Sequence, residues 1–193
     1  MTKTILLVGV GGQGTILISR ILTDGLISLG YDVKMSEIHG MSQRGGSVTT
    51  QIKYGEKVFA PNIGEGEADM IISFEKTEAL RALPYLKKGG VIITDDREIY
   101  SLPVLTGAVE YPHNAIDAIR ETGANVMVIE AAKAAEELGS IRAQNIVLLG
   151  ALVRELGLDS VDWKALVVKH VPPKAAELNL RAYDAGYALH KEN

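Results

Sequence analysis

Gly9, Gly11 and Gly14 stand at G-x-G-x-x-G spacing in "LLVGVGGQGT", directly behind an apolar run. In a strand–turn–helix setting that spacing serves phosphate. The first glycine permits a tight turn, the second lets backbone approach a pyrophosphate, and the third lets helix and strand pack closely. The helix that follows offers its first N–H groups to the same anion. Glu37, 23 residues beyond Gly14, falls near the ~20-residue spacing at which an acidic side chain holds a ribose hydroxyl.

Two features reach beyond a dinucleotide fingerprint. Gly12 and Gln13 make the turn "GVGGQG", in which a further backbone position is free of side chain. Behind Glu37 comes a second glycine-rich stretch, "IHGMSQRGGS", carrying His39, Gly40, Gln43, Arg44, Gly45 and Gly46. In an open α/β sheet, ligands collect beyond the carboxyl ends of the strands. Both stretches follow strands, so both are expected at that edge, facing each other across a concavity rich in backbone N–H groups. Such a concavity suits a phosphate, a carboxylate or another protein's loop. His39 or Arg44 alone would read as a surface residue; sharing one short glycine-flanked loop makes them candidates.

No second constellation competes. Glu75 reads as an acid at a helix N-terminus, and Asp95 with Asp96 as a solvated turn. Ser47 has no convincing His and Asp partners, and His113 reads as a loop residue before a helix capped by Asn114. The histidines at 39, 113, 170 and 190 lack metal-ligand spacing. No catalytic residue and no metal ligand is assigned.

The elements that must position these residues follow from periodicity. Thr4 to Val8 is a continuous apolar run, as in a strand buried on both faces. Ile18, Leu22, Gly25, Leu26 and Leu29 recur at helical spacing until Gly30, and "YDVKMSEI" returns to a strand. This β-α-β unit predicts a parallel pair with a right-handed crossover. "SVTTQIKYGEKVF" alternates around Gly55-Glu56 and predicts an antiparallel hairpin edge. "ADMIISF", "GGVIITDD" and "ANVMVIEA" are further strands, with "EKTEALRALPYLKK" helical up to Gly89. The remainder reads as helices at 131–138, 145–156, about 162–169 and 174–190. "NIVLLGALVREL" is apolar nearly all round, which places it in the core. The expectation is one α/β domain spanning 1–193, a three-layer α/β/α Rossmann-like architecture, mostly parallel.

Composition bounds the function. The 193 residues are 47% hydrophobic and carry 20 Lys and Arg against 24 Asp and Glu, a net charge of −4. No basic excess attracts nucleic acid, and no apolar run approaches the ~20 residues that cross a bilayer. The N-terminus lacks an export pattern, so a cytoplasmic location is expected. With no cysteine there is no thiolate nucleophile and no ordinary iron–sulfur ligation. Electron transfer would need clusters held on another chain.

"GVGGQG", "SEIHGMSQRGGSV", "GEADMIISFEKTEALRALPYLKKGGVIITD" and "RAQNIVLLGAL" together resemble the gamma-type unit of 2-oxoacid:ferredoxin oxidoreductases, over essentially the whole chain. The "HGMSQRGG" form resembles the indolepyruvate branch. The resemblance implies a subunit of a heteromer that decarboxylates an aryl pyruvate, reduces ferredoxin and forms an acyl-CoA. It implies thiamine diphosphate and Fe-S clusters on a large (alpha) partner subunit, with no cofactor assigned to this chain and a contact with CoA left open. Gly9, Gly11, Gly12, Gln13 and Gly14 match the first family motif. His39, Gly40, Gln43, Arg44, Gly45 and Gly46 match the second. Ferredoxin would be met through the complex, and the isolated chain can form a homo-oligomer through surface meant for its partner. Two alternatives stay open: the gamma subunit of a pyruvate or 2-oxoglutarate enzyme, and a free-standing dinucleotide-binding protein using Glu37.

Overall fold

Strand β1 (Lys3–Val10) is apolar on both faces because both faces are covered. Ile5 and Leu7 enter one hydrophobic cluster, and Leu6 and Val8 enter another on the opposite side. The computed structural model describes residues 2–39 and 46–189, with His39 described by its backbone alone. Behind β1 come α1 (Thr15–Ser28), β2 (Asp32–His39), β3 (Ser47–Gly55) and β4 (Ala68–Ser73). Then follow α2 (Lys76–Ala82), β5 (Leu86–Asp95), α3 (Leu102–Leu105), α4 (Ala115–Glu121) and β6 (Asn125–Ile129). The chain ends in α5 (Ala131–Glu137), α6 (Gln144–Leu156), α7 (Trp163–His170) and α8 (Ala176–Leu189).

The six strands lie in the order β2-β3-β1-β4-β5-β6. β1, β4, β5 and β6 are parallel, whereas β3 is antiparallel to both β1 and β2. The larger core lies under α1, α6, α7 and α8, and the smaller one involves α2 and α4. This is the three-layer, mostly parallel architecture with an antiparallel edge.

Four expectations need correction. β1 and β2 run in the same direction but are not paired, because β3 lies between them. The hairpin turn is not at Gly55-Glu56; β3 ends there, and its hairpin partner is β2. Alternate burial along β3 marks its one covered face, and beyond its end the Val58 N–H donates to the Asp32 carboxylate at 2.9 Å. The helix drawn to Gly89 stops at Ala82, because Pro84 has no N–H to extend the ladder and a 3-10 turn takes over. Leu86 to Gly90 already belong to β5. Asn114 occupies the cap position of α4 but makes no capping hydrogen bond.

α6 is the central helix, with every residue from Gln144 to Val153 buried. Glycines set its distance from α8. A Cβ at Gly186 would fall 1.8 Å from the Val147 carbonyl oxygen, and one at Gly150 would fall 2.2 Å from that of Tyr183. The backbones of the two helices are therefore in contact, and the first residues of α6, Gln144 and Asn145, hydrogen-bond to the strand ends and the glycine turn.

Candidate functional site

The chain leaves β1 toward one edge of the sheet and leaves β4 toward the other. A crevice therefore opens at their carboxyl ends, the place where such sheets bind ligands. The glycine turn fills one wall. Gly9 packs so closely that a Cβ would fall 2.8 Å from Gln13 Oε1 and 3.1 Å from Phe74 Cβ. Gly14 caps α1 in the left-handed region, φ 83°, and a Cβ there would meet Asn145 Nδ2 at 2.3 Å. Gly12, φ 94°, has open space where a side chain would be.

The Gly11 N–H donates to the Gly46 carbonyl at 2.9 Å, so the first glycine turn and the end of the second stretch are in contact. His39 closes β2 opposite Val48. Gly40, Gln43, Arg44 and Gly45 lie outside the described residues. Glu37 sits on β2 and accepts from Ser19 Oγ at 3.1 Å. Because β3 intervenes, β2 stands two strand spacings, about 10 Å, from β1. A ribose-holding acid normally ends the strand beside the glycine turn, and Glu37 does not.

The amide of Gln13 is spent on protein. Its oxygen accepts from the Val10 N–H at 2.7 Å, and its nitrogen donates to the Phe74 carbonyl at 2.9 Å. Phe74, at the end of β4, also accepts from Gln144 Nε2 at 2.9 Å. Gln144 Nε2 donates in addition to Asp95 Oδ2 at 2.7 Å, and the Ala132 N–H reaches the same oxygen at 2.8 Å. Gln144 Oε1 then accepts from Arg97 Nη1 at 2.7 Å. Asp95 is therefore not in a solvated turn: it is 2% exposed. Burial pushes its carboxyl up to about 6 against the pull of Ala132, Gln144 and Arg97.

Above this network lies a cavity of about 470 Å³, lined by Gly11, Gly12, Gly14, Arg97, Arg142 and Asn145 among others. Arg97 and Arg142 escaped the sequence reading. Arg97 stands two residues beyond the end of β5 and Arg142 two before α6, at positions that face the glycine turn only once strand order is known.

On the far side of Val10 and Ile99 a second cavity of about 370 Å³ is lined by Thr77, Val104, Val109 and Tyr111 among others. Glu75 caps α2 through the Glu78 N–H at 2.9 Å and accepts the Tyr111 hydroxyl. Burial and the Glu75 carboxylate raise the Tyr111 phenol far above its ordinary value. Burial opposes ionisation of Glu98, yet Lys76 at 2.5 Å, His113 at 2.9 Å and Tyr100 at 3.2 Å hold its carboxyl down to about 2. These contacts strap the segment from Glu98 to His113 across the rim. No cluster of three or more His, Asp or Glu that could hold a metal ion occurs among the described residues.

A family model described as pyruvate ferredoxin/flavodoxin oxidoreductase matches residues 4–189. Indolepyruvate oxidoreductase subunit IorB of Thermococcus kodakarensis is 40% identical over 195 residues, covering 97% of this chain and 96% of that one. The subunit of the same name from Pyrococcus horikoshii is 38% identical over the same shares. Among solved structures, the gamma subunit of a keto/oxoacid ferredoxin oxidoreductase from Geobacter sulfurreducens superposes with a TM-score of 0.71 at 23% identity. That match covers 97% of this chain and 98% of that one. The 2-oxoglutarate:ferredoxin oxidoreductase of Magnetococcus marinus, solved with 2-oxoglutarate, coenzyme A and succinyl-CoA, matches with a TM-score of 0.72 at 20% identity. There 98% of this chain covers 31% of a longer one. These two likenesses concern the fold.

Proposed function

We propose, from the premise that this chain belongs to the pyruvate ferredoxin/flavodoxin oxidoreductase family, that it is the small, gamma-type subunit of an indolepyruvate oxidoreductase. The observation that carries this reading is end-to-end similarity to the archaeal IorB subunits, at an identity that holds across both chains. The reaction is oxidative decarboxylation of an aryl pyruvate to an aryl-acetyl-CoA, with the electrons passing to ferredoxin through the complex. Thiamine diphosphate and iron–sulfur clusters, held by a larger partner subunit, supply the carbon and electron chemistry. A sequence without cysteine fits that division of labour.

This chain's own part is to dock. The two glycine turns sit against the partner near its reactive centre, and Gly9, Gly11, Gly12, Gln13 and Gly14 shape one of them. His39, Gly40, Gln43, Arg44, Gly45 and Gly46 form the other, in which Arg44 pairs with a phosphate or a carboxylate. Such a charge-assisted contact is worth about 1.5–3 kcal/mol when partly buried. The meeting of Gly11 with Gly46 supports the juxtaposition. So do Leu102, Leu105 and Val109, 69%, 67% and 58% exposed along the same rim. No described helix is long and apolar enough to cross a membrane, and we place the enzyme in the cytoplasm.

Co-expression of a tagged version of this chain with the large subunit tests the assignment. The two should purify together in a fixed ratio, and Arg44→Ala should weaken assembly or the CoA dependence of turnover. A chain that never retains the large subunit contradicts the reading.

A further inference from the structure

Ile5, Met70 and Val91 lie side by side across β1, β4 and β5, in one row of the sheet's register. They belong to the face that carries the larger core. This row is near the start of the strands, at the opposite end from the glycine turn. There α6 ends at Leu156, which lines a cavity of about 390 Å³ together with that row. An apolar cavity of roughly 150 Å³ already admits benzene. The space therefore holds an apolar body of one ring or several carbons beside a polar head.

One wall holds a donor with nothing to donate to. Tyr54 lines the cavity and is only 6% exposed, yet its hydroxyl makes no hydrogen bond among the described residues. Its ring rests edge-on against Tyr31, with the centroids 5.2 Å apart. Burial pushes the phenol up to about 12, so it keeps its proton at neutral pH. A buried hydroxyl without a partner is costly, and this one borders a space large enough to admit an acceptor.

The mouth decides the charge of that acceptor. Lys3, Lys87 and Lys88 line it, against Asp69 and Glu155. Both acids are engaged. Asp69 takes Lys87 Nζ at 3.0 Å, with the Thr4 N–H at 2.9 Å and the Thr4 hydroxyl at 3.0 Å, and Glu155 also has a partner. Lys3 and Lys88 pair with no acidic side chain among the described residues. Lys3 stands directly opposite Tyr54 in the antiparallel register, so the two side chains share a face. Gly89 has open space where a side chain would be, which leaves the mouth clear. Two unspent ammonium groups and a buried phenol above an apolar floor suit a carboxylate that carries a hydrocarbon body.

We infer that this cavity binds a small amphipathic carboxylate. Its head would lie among Lys3, Lys88 and the Tyr54 hydroxyl, and its body on Ile5, Met70 and Val91. The inference goes beyond the subunit reading and does not rest on it. An aromatic acid and a medium-chain fatty acid share this chemistry.

Calorimetric titration of the full chain with phenylacetate, and separately with octanoate, tests it. At least one should bind, and the tighter of the two identifies the body as aromatic or aliphatic. Acetate, which has the head alone, and phenethylamine, which has a ring with a cationic head, should not bind over the same concentration range. Tyr54→Phe removes only the hydroxyl. It should weaken binding about tenfold or more while leaving Tm unchanged or raised, because an unpartnered polar group has gone. Lys3→Gln with Lys88→Gln should weaken binding at least as much. Lys133→Gln with Lys164→Gln, two exposed lysines elsewhere, should leave the affinity unchanged; a matching loss there would mean that overall charge alone attracts the anion, and the inference would fail. It is overturned if neither acid binds the wild-type chain, if acetate or phenethylamine binds as tightly, or if both site variants keep wild-type affinity. A sharply lowered Tm in Tyr54→Phe also overturns it, since the hydroxyl would then serve the fold.

Discussion

The Phe74 carbonyl oxygen accepts from two amides at once, Gln13 of the glycine turn and Gln144 beneath Arg97. One backbone atom at the end of β4 thus ties together both walls of the crevice. Gln13→Ala should leave the Val10 N–H without its acceptor and lower unfolding free energy by about 1–3 kcal/mol, measurable by urea denaturation. Asp95 carries a different signature. Its carboxyl is raised by burial from an ordinary 3.8 to about 6, so between those values the native state holds a proton that the unfolded chain has released. The stability it contributes is fully present below about pH 4 and is lost as pH rises through 6, a change on the order of 3 kcal/mol. Asp95→Asn keeps an acceptor for Ala132 and should remove that slope: the difference between variant and wild type should grow in the variant's favour from pH 4 to pH 7. A parallel pair of stability curves over that range would contradict the buried-carboxylate account.

At the scale of elements, the glycines of α6 and α8 do more than relieve crowding. They let two backbones meet, in the helix that also carries Gln144 and Asn145 to the strand ends. Gly186→Ala must part these helices, since its Cβ would fall 1.8 Å from the Val147 carbonyl oxygen. The expected cost is about 3 kcal/mol or more, beyond ordinary overpacking, seen as a Tm lowered by more than about 6 °C for a domain of this size. Gly30→Ala, where open space surrounds a positive φ of 86°, should cost only about 1 kcal/mol of backbone strain. How far the sequence disclosed these elements depended on whether local pattern or pairing decided them. The burial of β1 and α6 was plain in their apolar runs, because each is covered on every side. The position of β3 was not: alternation marks a strand but says nothing of which neighbour it joins. Arg97 and Arg142 were invisible for the same reason, since only strand order brings residues 97 and 142 over residues 11–14.

For the whole molecule, the fold separates a glycine-lined phosphate-type turn from the acid that would complete a dinucleotide site. β3 stands between Glu37 and that turn, so the shared spacing does not carry the shared ligand. Adding NAD, NADP or FAD to the isolated chain should therefore leave Tm unchanged. A bound dinucleotide at 100 times its dissociation constant would stabilise by about 2.7 kcal/mol. A shift of that size would revive the free-standing reading. What the molecule offers instead is a rim: a glycine turn in contact with Gly46 just before β3, a strapped segment beside it, and an apolar border. Chemistry supplied by a companion chain is the use that such a rim supports.

The most direct measurement is indolepyruvate- and CoA-dependent reduction of a viologen dye by the large subunit, with and without this chain. Turnover should appear only when both are present, and this chain alone should give none. Full turnover by the large subunit alone, unaffected by adding this chain, would contradict the account.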